Sequence, residues 1–234
     1  MRVLNKQSLM MFKDKTEDNI ILIDKPAGWS SFDAVKKVKG IGKFKKVGHA
    51  GTLDPFATGL IILGTGKATR SLTTISTENK SYLAKIVFGC ATDTYDLTGC
   101  ITDSRDLKCV DIKKIQHAIN SFIGAGEQVP PMYSAKKVAG VRLYKLARNG
   151  VVVQRKPVPV YFHDIQIITH TDLDIIVSIK CSKGTYIRSF VNDLGNVTGY
   201  LAYLKELRRL SICHYNVEHA LSISEFESYW RAVQ

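Results

Sequence analysis

The sequence predicts an α+β fold, one main domain built around a mixed sheet. Two kinds of run carry that prediction. "SYLAKIVFG" alternates with the period of a strand, whereas "DIKKIQHAINSFIG" spaces its apolar residues three and four apart, as a helix does. Such runs interleave along the chain without a strict β-α-β rhythm, and no segment repeats.

The elements follow in order. Ile20 to Ile23 is a continuous apolar strand, and Lys25-Pro26-Ala27-Gly28 turns the chain. Ser30 and Asp33 fit a capping box, in which each side chain satisfies the other's free N–H. The helix behind it is expected to set Phe32, Val35 and Val38 on one face and to stop at Gly40 and Gly42. Ser81 to Phe88 reads as a strand. Asp111 caps a helix with a stripe of Ile112, Ile115, Ile119 and Phe122, ended by Gly124. Pro130-Pro131 removes two donors, so "EQVPPMYSAKK" is irregular. "RLYKLARNG" is a short helix closed by Gly150. "VYFHDIQII" and "LDIIVSIKC" are strands parted by "THTD". "GTYIRSFVNDLG" turns at Gly184 and is helical to Gly195, and "GYLAYLKELRRL" reads as a further helix, basic at its end. Ser222 and Glu225 form a second capping box and start a terminal helix.

The chain has 234 residues, 45% hydrophobic and 23% charged, ordinary proportions for a globular protein. A chain of this length buries roughly 70% of its unfolded surface and needs no disulfide or metal staple. No apolar run approaches the roughly 20 residues that span a bilayer. The patch Leu9-Met10-Met11-Phe12 is too short for a signal peptide, so the cytoplasm is expected and no membrane partner. Lys plus Arg number 33 against 21 Asp plus Glu, a net +12, which points to a polyanion and first to nucleic acid. The five cysteines form no C-x-x-C pair and are odd in number, and the six histidines are scattered, so no metal is expected.

The informative stretch is "VGHAGTLDPFATGLIILGTGKATR", which holds one carboxylate, Asp54, in a constrained turn. Lys36, Lys37, Lys39, Lys43, Lys45 and Lys46 crowd the chain just before it. A charge run is usually a solvated face; leading into such a turn, this one is placed to hold phosphates. "GTGK" is not a phosphate loop: the earlier Gly position is Ile61, and the residue after Lys67 is Ala68.

"GHAGTLDPFATGLIILGTGKAT" resembles the signature of the TruB family of pseudouridine synthases. "ILIDKPAGWSSFDAVKKVK" is similar to the family's N-terminal segment, and "NKSYLAKIVFGCATDTYDLTG" to the strand carrying its active-site Tyr. "VPPMYSAKKVAGVRLYKLARNG" resembles its RNA-gripping insertion and "CSKGTYIRSFVNDLG" its Arg-bearing turn. The five segments are collinear. The resemblance implies a mixed, mostly antiparallel sheet flanked by helices, with an active-site cleft across the sheet. It implies a catalytic domain over 20–215, with the insertion at about 125–155, a mobile segment 1–19, and a short tail 216–234 without the complete C-terminal RNA-binding domain of many members.

The implied activity is isomerisation of uridine 55 in the T loop of transfer RNA. That reaction breaks the C1′–N1 bond and remakes it to C5, so it needs no cofactor, only a carboxylate beside the sugar. The resemblance gives this role to Asp54 and leaves open covalent attack or abstraction of a sugar proton. Arg188 matches the family Arg that pairs with the carboxylate and keeps it ionised. Tyr82 matches the aromatic that stacks on uracil, and His49 the His that enters the T loop once the base has left its stack. Lys25 and Leu207 match residues at the base pocket; Tyr133 and Lys136, with the lysine run, contact RNA. Taken alone, Tyr82 reads as a core residue, and Arg188 as a solvent-facing one. The expected partner is transfer RNA, bound by a monomer that requires no protein partner. A non-catalytic RNA-binding protein and a synthase of the same fold acting on another RNA are the rival readings.

Overall fold

A computed structural model describes residues 2–8, 18–138 and 140–232. The strands in chain order are β1 (Arg2–Leu4), β2 (Asn19–Lys25), β3 (Val47–His49), β4 (Thr58–Thr65), β5 (Lys80–Phe88), β6 (Cys90–Thr92), β7 (Ile101–Ser104), β8 (Gly124–Gln128), β9 (Lys137–Val138), β10 (Val141–Arg142), β11 (Val158–His170), β12 (Asp174–Cys181), β13 (Ala202–Ile212) and β14 (Tyr215–Asn216). The helices are α1 (Ser31–Gly42), α2 (Ser71–Thr77), α3 (Ile112–Phe122), α4 (Leu143–Arg148), α5 (Ile187–Thr198) and α6 (Ile223–Ala232).

Where the sequence suggests one domain, the chain forms two compact units, Met1–Tyr82 with Leu207–Gln234, and Leu83–Glu206. In the first, β2 pairs antiparallel with β4, β3 adds to β4, and β1 adds parallel to β2. β2 and β4 are buried on both faces, which is why they read as unbroken apolar runs. Ile21, Ile23, Ile61 and Leu63 pack on one face with Val35 and Val38 of α1 and Phe226 and Trp230 of α6. Ile20, Leu22, Leu60 and Ile62 pack on the other with Leu72 and Ile75 of α2. Phe44 meets Trp230 edge-on, ring centroids 4.9 Å apart. In the second unit β11 pairs antiparallel with β12 and with β8. Phe190 of α5 packs against Phe122 of α3 and Phe162 of β11, each at 5.2 Å. The expected insertion contains β9, β10 and α4.

Both predicted capping boxes form. Ser30 and Asp33 exchange side-chain and backbone bonds at the head of α1, and Ser222 and Glu225 do so at α6. Several boundaries differ from the expectation. α1 runs through Gly40 and Gly42 and stops at Lys43, which takes the left-handed conformation at φ 52°. Its buried residues are Ser31, Ala34, Val35 and Val38, and Phe32 is 69% exposed. α5 passes Gly195 and ends at Gly199, φ 70°. Gly195 is there for packing: a Cβ on it would lie 2.5 Å from the amide of Ala202. Within the segment expected to be mobile, Arg2–Leu4 is a strand in register with Asn19–Ile21; the patch Leu9 to Phe12 lies outside the described residues.

The largest correction is "YLKELRRL", a strand rather than a helix. Ala202 and Leu204 are buried, two exposed residues follow, and Leu207 and Arg209 are buried next. That phase shift at Lys205-Glu206 separates two period-two runs and leaves a Leu–Leu spacing of three that imitates a helix.

Candidate active site

β3 ends at His49 and β4 starts at Thr58, and the loop between them carries Asp54. The amide of Ala50 still bonds to Ile62 O at 2.9 Å, so the loop leaves a strand pair that is closed up to its edge. Gly51 takes φ +81°, a conformation that favours glycine. Asp54 to Ala57 then form a β-turn, with Ala57 N donating to Asp54 O at 3.1 Å. Asp54 itself is half-buried.

Three buried side chains hold this loop by its backbone. Ser31, in the first turn of α1, accepts from Leu53 N at 2.8 Å and donates to Leu53 O at 3.2 Å. Lys25, at the end of β2, is fully buried, and its ammonium donates to Trp29 O at 2.7 Å, Pro26 O at 2.8 Å and Pro55 O at 3.3 Å. Arg209, on β13, is 1% exposed; its Nε donates to Leu60 O at 2.7 Å and its Nη atoms to Thr52 O and Gly51 O at 3.3 Å each. The parallel pairing of Arg208 with Thr58 and Arg209 with Gly59 brings that guanidinium to the loop. Next to it, Arg208 closes a two-point ion pair with Asp24, at 3.0 and 2.6 Å.

The electrostatics follow from that burial. Desolvation and the Arg209 cation lower the Lys25 pKa to about 8, against the pull of Asp54, Asp33 and Asp24. Burial, and then Arg209, also hold His49 below the usual imidazole range, against a hydrogen bond with the backbone of Gly51. The His49 Nδ1 is buried, without a close hydrogen-bond partner among the described residues.

Of the residues picked from the sequence, Asp54, His49 and Lys25 come together at this loop in the first unit. Lys25 was expected at the base pocket; its ammonium bonds one carbonyl of the loop, Pro55 O, and two of the turn before α1, Pro26 O and Trp29 O. Tyr82 on β5 and Leu207 on β13 belong to the same unit and are 6% and 7% exposed. Lys36, Lys37, Lys39, Lys43, Lys45 and Lys46 are all exposed, and Lys37 is paired with Glu227 at 3.3 Å.

Arg188, Tyr133 and Lys136 belong to the second unit. Arg188 is 4% exposed rather than solvent-facing. It donates to Tyr133 O at 2.8 Å and Thr94 O at 3.2 Å, and it faces Asp96 Oδ2 at 3.5 Å. The other Asp96 oxygen accepts from Thr94 Oγ1 at 2.8 Å and Thr98 N at 2.9 Å. Lys136 is half-buried, and its carbonyl accepts from Leu143 N at 2.8 Å.

Sequence reasoning missed Ser31, Arg209 and Asp96. A signal existed for Asp96, a second Asp among threonines in "TDTYDLTG". Arg209 was hidden by the helical reading of its strand.

Comparison with known proteins adds a lineage. A model of the TruB family pseudouridylate synthase N-terminal domain matches residues 39–187. The tRNA pseudouridine synthase B of Syntrophotalea carbinolica is 41% identical over 210 residues, covering 90% of this chain and 69% of its own. That of Endomicrobium trichonymphae is 41% identical over 212 residues, covering 90% of this chain and 92% of its own. Among solved structures, a chain of a Cbf5–Nop10–Gar1 complex superposes with a TM-score of 0.73 at 25% identity, over 95% of this chain and 56% of its own.

Proposed function

Because this chain belongs to the TruB family of pseudouridylate synthases, we propose that it isomerises uridine 55 in the T loop of transfer RNA to pseudouridine. The observation that carries the reading is the Asp54 turn. A single carboxylate stands on a loop fixed by Ser31, Lys25 and Arg209, in a chain about two-fifths identical to proteins named for that reaction. Position within about an ångström decides such chemistry, so a loop tied down on both flanks is what a single catalytic carboxylate needs.

The reaction balances within the substrate. The bond from C1′ to N1 breaks, the freed uracil turns, and C5 bonds to C1′. C5 gives up its proton and N1 gains one, with no net redox change. Asp54 is assigned the chemistry at the sugar, and Arg188 the task of keeping it ionised. Tyr82 stacks on uracil, Leu207 walls the base, and His49 enters the T loop to hold the displaced nucleotides. Burial that disfavours the His49 imidazolium supports a neutral ring in that role. The exposed lysines from Lys36 to Lys46, with Tyr133 and Lys136 of the insertion, hold the RNA. The enzyme acts as a cytoplasmic monomer on transfer RNA, and no helix among the described residues is long and apolar enough to cross a membrane.

The test is tritium release from C5 of uridine in an unmodified transfer RNA transcript, without added cofactor. Wild type is expected to release tritium, and Asp54→Asn to bind the transcript without turnover. Clear product formation by Asp54→Asn would remove Asp54 from the mechanism. Tight binding with no release by wild type would make this an RNA-binding protein.

A further inference from the structure

The hydroxyl of Ser31 bonds both backbone groups of Leu53, and the residues next in the chain are Phe32 and Asp54. Phe32 is 69% exposed, the only aromatic ring among the large exposed hydrophobics of the first unit's described residues. The capping box fixes the rotation of α1 so that Ser31, Ala34, Val35 and Val38 point inward, which turns Phe32 outward. Lone exposed apolar residues need no explanation by themselves. This one has a charged continuation. Lys36 and Lys39 follow it at helical spacing on the same face, and Lys43 stands just past the helix end. None of the three makes an ion pair among the described residues.

A groove of about 800 Å3 runs beside this face, lined by Trp29, Lys36, Lys37, Lys43 and Arg231 among others. Its two acidic residues are already engaged: Asp33 is held by the Ser30 cap, and Glu227 by Lys37 and Arg231. Beyond the attraction between Lys36 and Asp33, the positive charge of Lys36, Lys39 and Lys43 forms no ion pair among the unit's described residues. The face is also rigidly tied to the Asp54 turn, because Gly28 N donates to Pro55 O at 2.8 Å and Lys25 bridges Trp29 O and Pro55 O.

We propose that the outer face of α1 is an RNA track in which Phe32 stacks on an unpaired nucleotide next to the flipped uridine, while Lys36, Lys39 and Lys43 follow the phosphates. An exposed aromatic followed by cations is the arrangement that grips single-stranded nucleic acid, the ring taking a base and the cations the backbone. The identity of that RNA, and the flipped uridine beside the ring, rest on the function proposed above; the stacking of Phe32 on an unpaired nucleotide does not.

The test measures binding of an unmodified transfer RNA transcript over a range of salt, with tritium release by wild type run on the same transcript. Phe32→Ala is expected to weaken binding about tenfold, with the slope of log affinity on log salt unchanged, because a ring releases no counterions. Phe32→Tyr restores it. Lys36→Gln with Lys39→Gln flattens the slope by roughly 1.5. Phe32 and both lysines are exposed, so thermal melting stays at the wild-type value. Wild-type affinity in Phe32→Ala would overturn the proposal and leave the ring to a protein partner; an equal loss in Phe32→Tyr would overturn stacking. If wild type releases no tritium while Phe32→Ala still binds weakly, the uridine reading fails and the RNA track stands.

Discussion

The hydroxyl of Ser31 holds both backbone groups of Leu53, accepting from its amide at 2.8 Å and donating to its carbonyl at 3.2 Å. α1 and the residue before Asp54 are thereby one rigid piece, although 22 residues separate them in the chain. Ser31 and Leu53 are each 3% exposed, so water cannot replace the hydroxyl. Ser31→Ala therefore leaves a buried amide without its partner, at about 1–3 kcal/mol. It also frees the loop to shift, and turnover is expected to fall about tenfold to a hundredfold. Single-turnover tritium release at saturating RNA, with thermal melting alongside, checks both effects. A wild-type rate in a destabilised Ser31→Ala protein would show that the loop keeps its position without this bond.

Gly59 admits no side chain. Its φ is +103°, and a Cβ there would lie 2.3 Å from the carbonyl oxygen and 2.7 Å from the amide nitrogen of Arg209. Those are backbone atoms of the paired strand and cannot swing aside. Gly59→Ala should part β4 from β13 and pull the Arg209 guanidinium off the Asp54 loop. The expected result is loss of several kcal/mol of stability or failure to fold. Gly28→Ala is the control: its φ is +80°, yet a Cβ there meets nothing within 4 Å, so it should cost only the backbone strain. Equal melting temperatures for the two variants would contradict the close approach of β4 and β13.

The contrast between Asp54 and its supports shows what a sequence makes legible. The strands Ile20 to Ile23 and Ser81 to Phe88, the Asp111-capped helix and both capping boxes announce themselves through local periodicity and cap chemistry, and they form. The mixed, mostly antiparallel pairing implied by the TruB resemblance is also found within the units. Asp54 could be singled out because its motif is contiguous. Ser31 was not, since its role exists only once Leu53 arrives from 22 residues away. Arg209 was lost with its strand, because the phase shift at Lys205-Glu206 copies helical spacing. Phe32 was placed on the buried face because three-residue spacing to Val35 fits a helix stripe, and only the rotation set by the capping box excludes it.

Lys25 gives a pH signature. Its folded pKa is about 8, below the unfolded value of 10.5, so the folded state binds this proton less tightly than the unfolded chain does. Between about pH 8 and 10.5 the unfolded state holds the proton and the folded state does not, and this group's contribution to stability rises with pH. Below pH 8 both states are protonated and the penalty is constant. Lys25→Met removes the group, so the difference in unfolding free energy between wild type and variant should change across that window and be flat below it. Urea melts at closely spaced pH values measure it, and other groups titrating there cancel in the difference. A flat difference up to pH 10 would mean that the ammonium keeps its ordinary affinity for the proton.

Asp96 separates holding Arg188 in place from the chemistry proposed for Arg188. Both side chains are buried, 5% and 4% exposed, and face each other at 3.5 Å. One Asp96 oxygen organises the turn through Thr94 and Thr98, and the other meets the guanidinium. Asp96→Asn keeps the shape and removes the charge. A buried guanidinium then loses a compensating carboxylate, and stability should drop by on the order of 3 kcal/mol. Turnover should fall as well if Arg188 has the role proposed for it, because removing Asp96 leaves its guanidinium less restrained. The double variant Asp96→Asn/Arg188→Met removes the buried charge along with its partner, so part of the stability should return. Activity should not, if Arg188 is needed to keep Asp54 ionised. Melting temperature and tritium release across the two single variants and the double variant read these effects apart. Recovery of activity together with stability in the double variant would make Arg188 a purely structural residue and return the problem of the Asp54 counter-charge to Lys25 and Arg209.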